Sequence, residues 1–495
     1  MTAPARGAWL SGRFPPSAPD TQFAIMLGAG LAGIVLGLIA TRSALAAVAL
    51  PLAALFVAAV FRDLAVGVVL FTVLAFFQLI PSFEGSGVTL VKAAGLVLAA
   101  AWAVALVDRR NRIPFLPREN LLVGVGAAAF WLWGASSALW AIDTGEVATY
   151  MSRVGQGILL FFIVYSALRE PKHLRWFVWI FVVGAFVAGA LGLVYGTNDG
   201  TDRLQSFAIG DPNYLAAALI PGLVLEAFLF MTTRSPLVRT VLVAMAAVTA
   251  ISLFMTQSRG GVVGLGAALA AGVLLAGPAR LRLVVAALLI TAAGVTYYGF
   301  FASPEARGRI TNFSAESSSG RSDLWTVALR EYDAHPLNGV GGGNFVAAKP
   351  AYATETVNLT RLDRVVDDPV VAHNTFLEIL AELGVVGLGL FAVIALGALV
   401  IGLHGIRRLG RAGFTDAALL GRGVLIATIG MLAAFTFLSA QYEKNLWLLL
   451  GASAALASIG HLAETTALTE QNGAARRTSR WYEPGLPFAP RSWAQ

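Results

Sequence analysis

Apolar runs of about 17–25 residues recur along almost the whole chain, and that length is what an α-helix needs to cross a bilayer's hydrocarbon core. Fourteen such runs are bounded by charges, turns, Pro or Gly: 23–40, 44–61, 64–80, 88–107, 121–141, 150–168, 176–196, 214–231, 241–257, 261–277, 283–301, 376–403, 417–440 and 446–460. Composition agrees: 57% of the 495 residues are hydrophobic and 13% are charged, against about 25% charged in soluble domains. Too few polar residues remain to cover soluble surfaces. A soluble multidomain enzyme, a disordered chain and a fibrous protein are excluded. The expected fold class is an all-α polytopic membrane protein of about 14 transmembrane helices.

Lys+Arg exceed Asp+Glu by 35 to 28. In this setting the excess reports membrane topology rather than nucleic acid. With the N-terminus cytoplasmic, inner loops and tails hold 22 basic residues, from Arg6 to Arg491, whereas the short outer loops keep only Arg42, Arg153, Arg203, Arg259 and Lys444. The expected arrangement is a multi-pass membrane protein with both termini cytoplasmic. Ala44-Leu45-Ala46 looks like a cleavage site, but the 22-residue polar leader and long apolar run predict an uncleaved first helix. With no cysteine, neither disulfides nor thiol chemistry arises.

The expected organisation is a mobile tail at 1–22, about 11 helices over 23–301, an extracytoplasmic loop with short helices at 302–375, three helices over 376–460, and a mobile tail at 461–495. Within the long loop, Leu324, Trp325, Ala328, Leu329 and Tyr332 have amphipathic helical spacing. His335-Pro336 ends that helix, and Gly339 to Gly343 read as a flexible turn. A long loop of this kind is functional by default.

The polar motifs that ordinary loops do not explain fall on the outer side. Arg203 and Asp211-Pro212-Asn213 lie between the seventh and eighth spans, and Ser258-Arg259-Gly260-Gly261 marks the turn after the ninth. Arg321 and His335 sit in the long loop; His373-Asn374 opens the twelfth span, followed by Glu378 and Glu382 one turn apart. Each has a plain reading. Arg259 would serve as an interfacial anchor, Asp211 or Asn213 as a helix cap, and Glu382 as half of a pair. An ionisable residue at membrane depth is nonetheless a functional candidate. No His/Asp spacing argues for a metal site.

The order Asp-Pro-Asn, Ser-Arg-Gly-Gly, Gly-Arg…Leu-Trp…His-Pro-Leu-Asn-Gly-Val-Gly-Gly-Gly-Asn-Phe and His-Asn-Thr-Phe-Leu-Glu-Ile-Leu-Ala-Glu-Leu-Gly-Val-Val-Gly resembles the O-antigen ligase and polymerase superfamily. The resemblance is strongest over 200–400, with 373–387 its most specific part. It implies a GT-C-like helical bundle and a metal-independent, inverting glycosyltransferase without cofactor. The implied partners are a polyprenyl-diphosphate-linked oligosaccharide donor, a glycan or lipid-linked glycan acceptor and membrane lipids, not nucleic acid. In that chemistry Arg259, Arg203 and Arg321 bind the diphosphate through planar forks. His373, kept neutral by a helix N-terminus, takes the acceptor proton. Asn374 and Glu378 orient the imidazole, with Glu378 or Asp368 as rival bases. Polymerase and ligase readings stand together, and a transporter or flippase of lipid-linked glycan is the alternative.

Overall fold

The computed structural model describes residues 44–77, 89–107, 120–196, 202–206, 209–311, 321–353 and 369–479. The chain divides into two compact units, Met1–Arg62 and Asp63–Gln495. The first shows one helix, α1 (Ala44–Arg62); the expected span at 23–40 lies outside the described residues.

The regular elements described in the second unit are helices. Its first six helices are α2 (Leu64–Leu74), α3 (Leu90–Val107), α4 (Leu121–Ser136), α5 (Thr144–Ala167), α6 (Pro171–Tyr195) and α7 (Pro212–Thr232). Then come α8 (Pro236–Met255), α9 (Arg259–Leu275) and α10 (Arg280–Thr296). Three short helices follow, α11 (Pro304–Thr311), α12 (Arg321–Ala334) and α13 (Phe345–Ala353). Last are α14 (Thr375–Arg411), α15 (Thr415–Ala434) and α16 (Lys444–Ser479). Ten helices are long and apolar enough to cross a membrane among the described residues, with three shorter apolar ones beside them. This is a multi-pass membrane protein.

Local sequence sets the helix starts. Proline fills the first position of α6, α7 and α8, where its missing N–H costs nothing. Asp143, Asp211, Ser258 and Asn374 cap α5, α7, α9 and α14 by accepting the first free backbone N–H groups. Helices α7 and α15 and the first part of α16 are apolar and mostly buried, forming the centre. Small residues bring α14 and α16 close, the backbone of Gly405 lying against Leu456. Helix α16 runs on to Ser479, so the boundary expected at 460 falls inside a helix. The Ala, Leu, Glu and Gln content of 461–472 favours helix more strongly than its lack of an apolar stripe disfavours it.

Helix α14 is broken once, at Gly384 (φ 67°, ψ −170°). The strap 336–344 docks into the break. Val340 N–H donates to the Ala381 carbonyl at 2.9 Å, Gly341 N–H to that of Glu382 at 2.8 Å, and Val385 N–H to that of Pro336 at 2.9 Å. Asn344 and the Asp143 backbone exchange two bonds of 2.7 and 3.0 Å, tying the strap to the start of α5. The Gly-rich stretch is therefore a fastened strap, not the flexible turn its composition suggests. A Cβ at Gly384 would collide with the Leu337 carbonyl. Gly384→Ala is expected to cost about 2–4 kcal/mol from left-handed strain plus overpacking. The readout is thermal unfolding in detergent, and a wild-type melting temperature would show the break dispensable.

Candidate active site

The segments 137–143, 202–206, 209–211, 256–258, 302–311, 321–353, 369–374 and 435–443 lie at one end of the second unit, and the described sequence-predicted site residues lie on or next to them. Two groups form, joined by the 435–443 segment.

The first is a cluster of arginines. Arg203 donates through Nε to the Thr256 carbonyl at 3.0 Å and through Nη2 to Asn213 Oδ1 at 2.9 Å. The same Asn213 oxygen accepts from Ser258 Oγ at 3.0 Å. Asn213 thus orients Arg203, while Asp211 caps α7 through the N–H groups of Asn213 and Tyr214. Arg259 donates through Nε to the Arg309 carbonyl at 2.6 Å, and Arg309 reaches Gln257 Oε1 at 3.5 Å. Arg321 lies within electrostatic reach of Arg203, Arg259 and Asp211. Burial, followed by repulsion from Arg309 and Arg321, lowers the Arg203 pKa against the attraction of Asp211. Burial, then Arg259, lowers that of Arg321. Arg321 has no hydrogen-bond or ion-pair partner among the described residues. Arg203, Arg259, Arg309 and Arg321 thus gather at one place, with Asp211 within electrostatic reach of Arg203 and Arg321, and arginine does not shed its proton to relieve such repulsion.

The second group is built around His373 and Glu378. The Glu378 carboxylate accepts from the Ser439 hydroxyl, from Gln441 Nε2 at 3.0 Å and from the Ala372 backbone N–H. The Ala372 carbonyl accepts from Trp325 Nε1 at 3.0 Å, so the residue before His373 is held from both sides. Asn374 caps α14 through its side-chain oxygen, at 3.0 Å from Phe376 N and 3.2 Å from Leu377 N. That oxygen therefore holds the helix start, where the sequence suggested imidazole orientation. His373 itself is half-buried with φ 50°. Among the described residues three non-glycine residues have positive φ, Asp202, Gln257 and His373, and all three are here. Such strain persists only where the surroundings enforce it, and it concentrates at functional sites.

The joining segment links the groups directly. Tyr214, next to Asn213, donates to the Ser439 carbonyl at 2.5 Å. Thr375 Oγ1 donates to the Leu438 carbonyl at 2.5 Å and accepts from Ala440 N–H at 2.9 Å. Phe437 packs on Trp325 with ring centroids 6.0 Å apart, and Gly260 backs onto Phe437.

Residues 242–392 match the O-antigen ligase family. The match spans Arg259, Arg309, Arg321, His373, Glu378 and Glu382. Arg203, Asp211, Asn213 and the 435–443 segment lie beyond it, brought in by the fold. The match supports the O-antigen ligase and polymerase superfamily, whose members ligate or polymerise glycans in membranes. A comparison with curated proteins finds no match.

The other candidates fall elsewhere. His335 follows the end of α12, is exposed, and its Nε2 lies 3.1 Å from the Tyr352 hydroxyl. Glu382 is buried and accepts from Phe345 N–H at 3.4 Å. Asp368 lies outside the described residues. Sequence reasoning missed Arg309, Ser439, Gln441 and Glu331. The last is a fully buried carboxyl on α12 without a hydrogen-bond partner among the described residues. Burial first, then the neighbouring Glu382, pushes its pKa up to about 9. No group of three or more His, Cys, Asp or Glu able to hold a metal occurs among the described residues.

Proposed function

We propose that this chain is an inverting glycosyltransferase that moves glycan from a polyprenyl-diphosphate-linked oligosaccharide to a glycan acceptor at the outer face of a bacterial inner membrane. The observation that carries the reading is the cluster of four arginines at the same end of the bundle as His373, whose flanking residues are held in place. The guanidinium groups of Arg203, Arg259, Arg309 and Arg321 hold the diphosphate. As the bond between sugar C1 and phosphate oxygen breaks, they stabilise the charge that develops there. His373 accepts the proton of the attacking acceptor hydroxyl, whose oxygen bonds C1 from the opposite face. Glu378 already serves three donors, which suits positioning better than proton abstraction. An apolar cavity of about 670 Å³ between α7, α8 and α10 suits the polyprenyl chain. Its upper wall, Ala250 and Ala293, lies one turn below Phe254 and Tyr297 at the end of the bundle that carries the arginines.

Incubating the purified protein with lipid-linked oligosaccharide tests this. A product ladder means polymerisation and transfer to a different acceptor means ligation; translocation without transfer overturns the reading. Transfer is expected to persist in excess EDTA, whereas loss restored by one divalent ion would implicate carboxylate ligands such as Asp367 or Asp368. Sidedness rests on the asymmetry of 22 inner against five short outer-loop basic residues. Reporter fusions after residue 340 are expected to read extracytoplasmic, and fusions at 115 and 480 cytoplasmic. A cytoplasmic signal at 340 would place the site on the wrong face.

A further inference from the structure

A cavity of about 370 Å³ opens at the same end of the bundle, and it shares no lining residue with the arginine cluster. Its volume falls in the range of about 300–1,000 Å³ typical of small-molecule sites. Glu378, Glu382, Tyr150 and Gln441 form its buried part. Asp143, Glu146, Thr149 and Arg153, on and just before the first turns of α5, form an exposed rim. Pro369 and Val371, leading into His373, close one side.

We propose that this cavity is the acceptor-sugar subsite, and that it takes an uncharged pyranose in preference to an acidic one. The proposal rests on the glycosyl-transfer reading. Transfer needs two places that meet at the base, and the arginine cluster supplies only one, for the anion. Glu378 is common to the cavity wall and to the network that fixes the backbone before His373. A sugar seated there lies beside the backbone that leads into His373 and leaves the arginine cluster free for the diphosphate.

The wall chemistry argues for a polyol. Three buried atoms on lining residues have no hydrogen-bond partner among the described residues: the Tyr150 hydroxyl, Glu382 Oε2 and Gln441 Oε1. A buried polar group left without a partner is costly, and an apolar occupant would leave all three so. Sugar hydroxyls both donate and accept, donating to the carboxylate and amide oxygens and accepting from the phenol. Charge then selects among sugars. Four lining carboxyl groups stand against one guanidinium, Arg153, which lies 5.3 Å over the ring of Tyr442. A uronate entering past the exposed Asp143 and Glu146 meets like charge at the rim, and burial beyond them disfavours its charged form, whereas a neutral hexose or N-acetylhexosamine meets neither cost.

The absence of native cysteine makes a direct test possible on the full-length protein. Thr149→Cys and Ala347→Cys each place one thiol on the cavity wall, from α5 and from α13, while Asp333→Cys places one on exposed α12 outside it. Maleimide labelling is followed with methyl glycosides of glucose, galactose, mannose and N-acetylglucosamine, and with methyl glucuronide and galacturonide. At saturating concentration a neutral glycoside is expected to slow labelling of both wall thiols by about fivefold or more. The uronides are expected to leave it unchanged, and Asp333→Cys to respond to neither. No protection by any neutral glycoside, equal protection by uronides, or protection by a divalent cation instead overturns the proposal. Either wall variant suffices should the other fail to accumulate. Capping a wall thiol with a bulky maleimide should also stop transfer from lipid-linked oligosaccharide. A capped enzyme that transfers at the uncapped rate removes the subsite and leaves transfer standing. Selective protection on a protein that never transfers leaves a neutral-sugar site and removes transfer.

Discussion

Replacing His373 with alanine is expected to abolish glycan transfer while lipid-linked donor still binds. A sugar hydroxyl is a poor nucleophile near neutral pH, and a positioned proton acceptor contributes roughly 10²–10⁴-fold. Few residues here are held as firmly as those around His373. The Ala372 N–H is bound by Glu378 and its carbonyl by Trp325, and Asn374 caps the following helix. Left-handed backbone at a non-glycine residue is tolerated in between because both flanks are fixed. On the proposed reading the donor's charge is met by arginines that the substitution does not touch, so binding and turnover should separate. The wild-type rate should also fall as pH drops through the histidine range, because a protonated imidazole cannot accept the proton. Glu378→Gln, which keeps an acceptor oxygen for Ser439, should be milder than His373→Ala. Wild-type transfer by His373→Ala would make a carboxylate the base and leave the arginine cluster's role untouched.

Much of this arrangement is visible in the sequence because helical runs and short polar motifs are local signals. The apolar blocks that fall on described residues correspond to helices, and Asp211, Asn213, Arg203, Ser258, Arg259 and Arg321 share one end of the bundle. Other parts depend on contacts between distant residues. Ser439 and Gln441 lie in a short turn without a repeat or recognisable motif, and they matter because they meet Glu378, 61 and 63 positions away. Arg309 looks like one basic residue among several in the long loop until its carbonyl is found holding Arg259. The Gly-rich strap carried a usable signal. Gly339, Gly341 and Gly343 all have positive φ, and the strap closes against the break at Gly384, so glycines at two-residue spacing facing a mid-helix glycine mark docking rather than looseness. Asn374 and Glu378 were recognisable as important, but composition does not say that one caps a helix and the other anchors a turn.

Arg259→Lys is expected to lower transfer by about 10²-fold or more, the size of effect seen when a donor to a developing oxyanion is lost. The substitution keeps the charge, so a long-range attraction for anionic donor survives and only geometry is lost. Arg259 combines two functions that lysine cannot reproduce together. Its Nε donates to the Arg309 carbonyl, which fixes the plane of the guanidinium, and that fixed plane aims the terminal nitrogens. A lysine ammonium that takes the Arg309 carbonyl no longer points a fork at the diphosphate; one that reaches the diphosphate leaves the carbonyl unpaired and releases α11. Arg203 and Arg321 sharpen the comparison. Arg203 already serves Thr256 and Asn213, so Arg203→Lys should lower the yield of folded protein as well as activity. Arg321 has no fixed partner among the described residues, so Arg321→Lys should affect activity with little change in thermal stability. Transfer rates, donor KM and melting temperatures of the three variants separate these cases. Near-normal turnover by Arg259→Lys, in protein that is inserted and folded, would reduce Arg259 to an interfacial anchor.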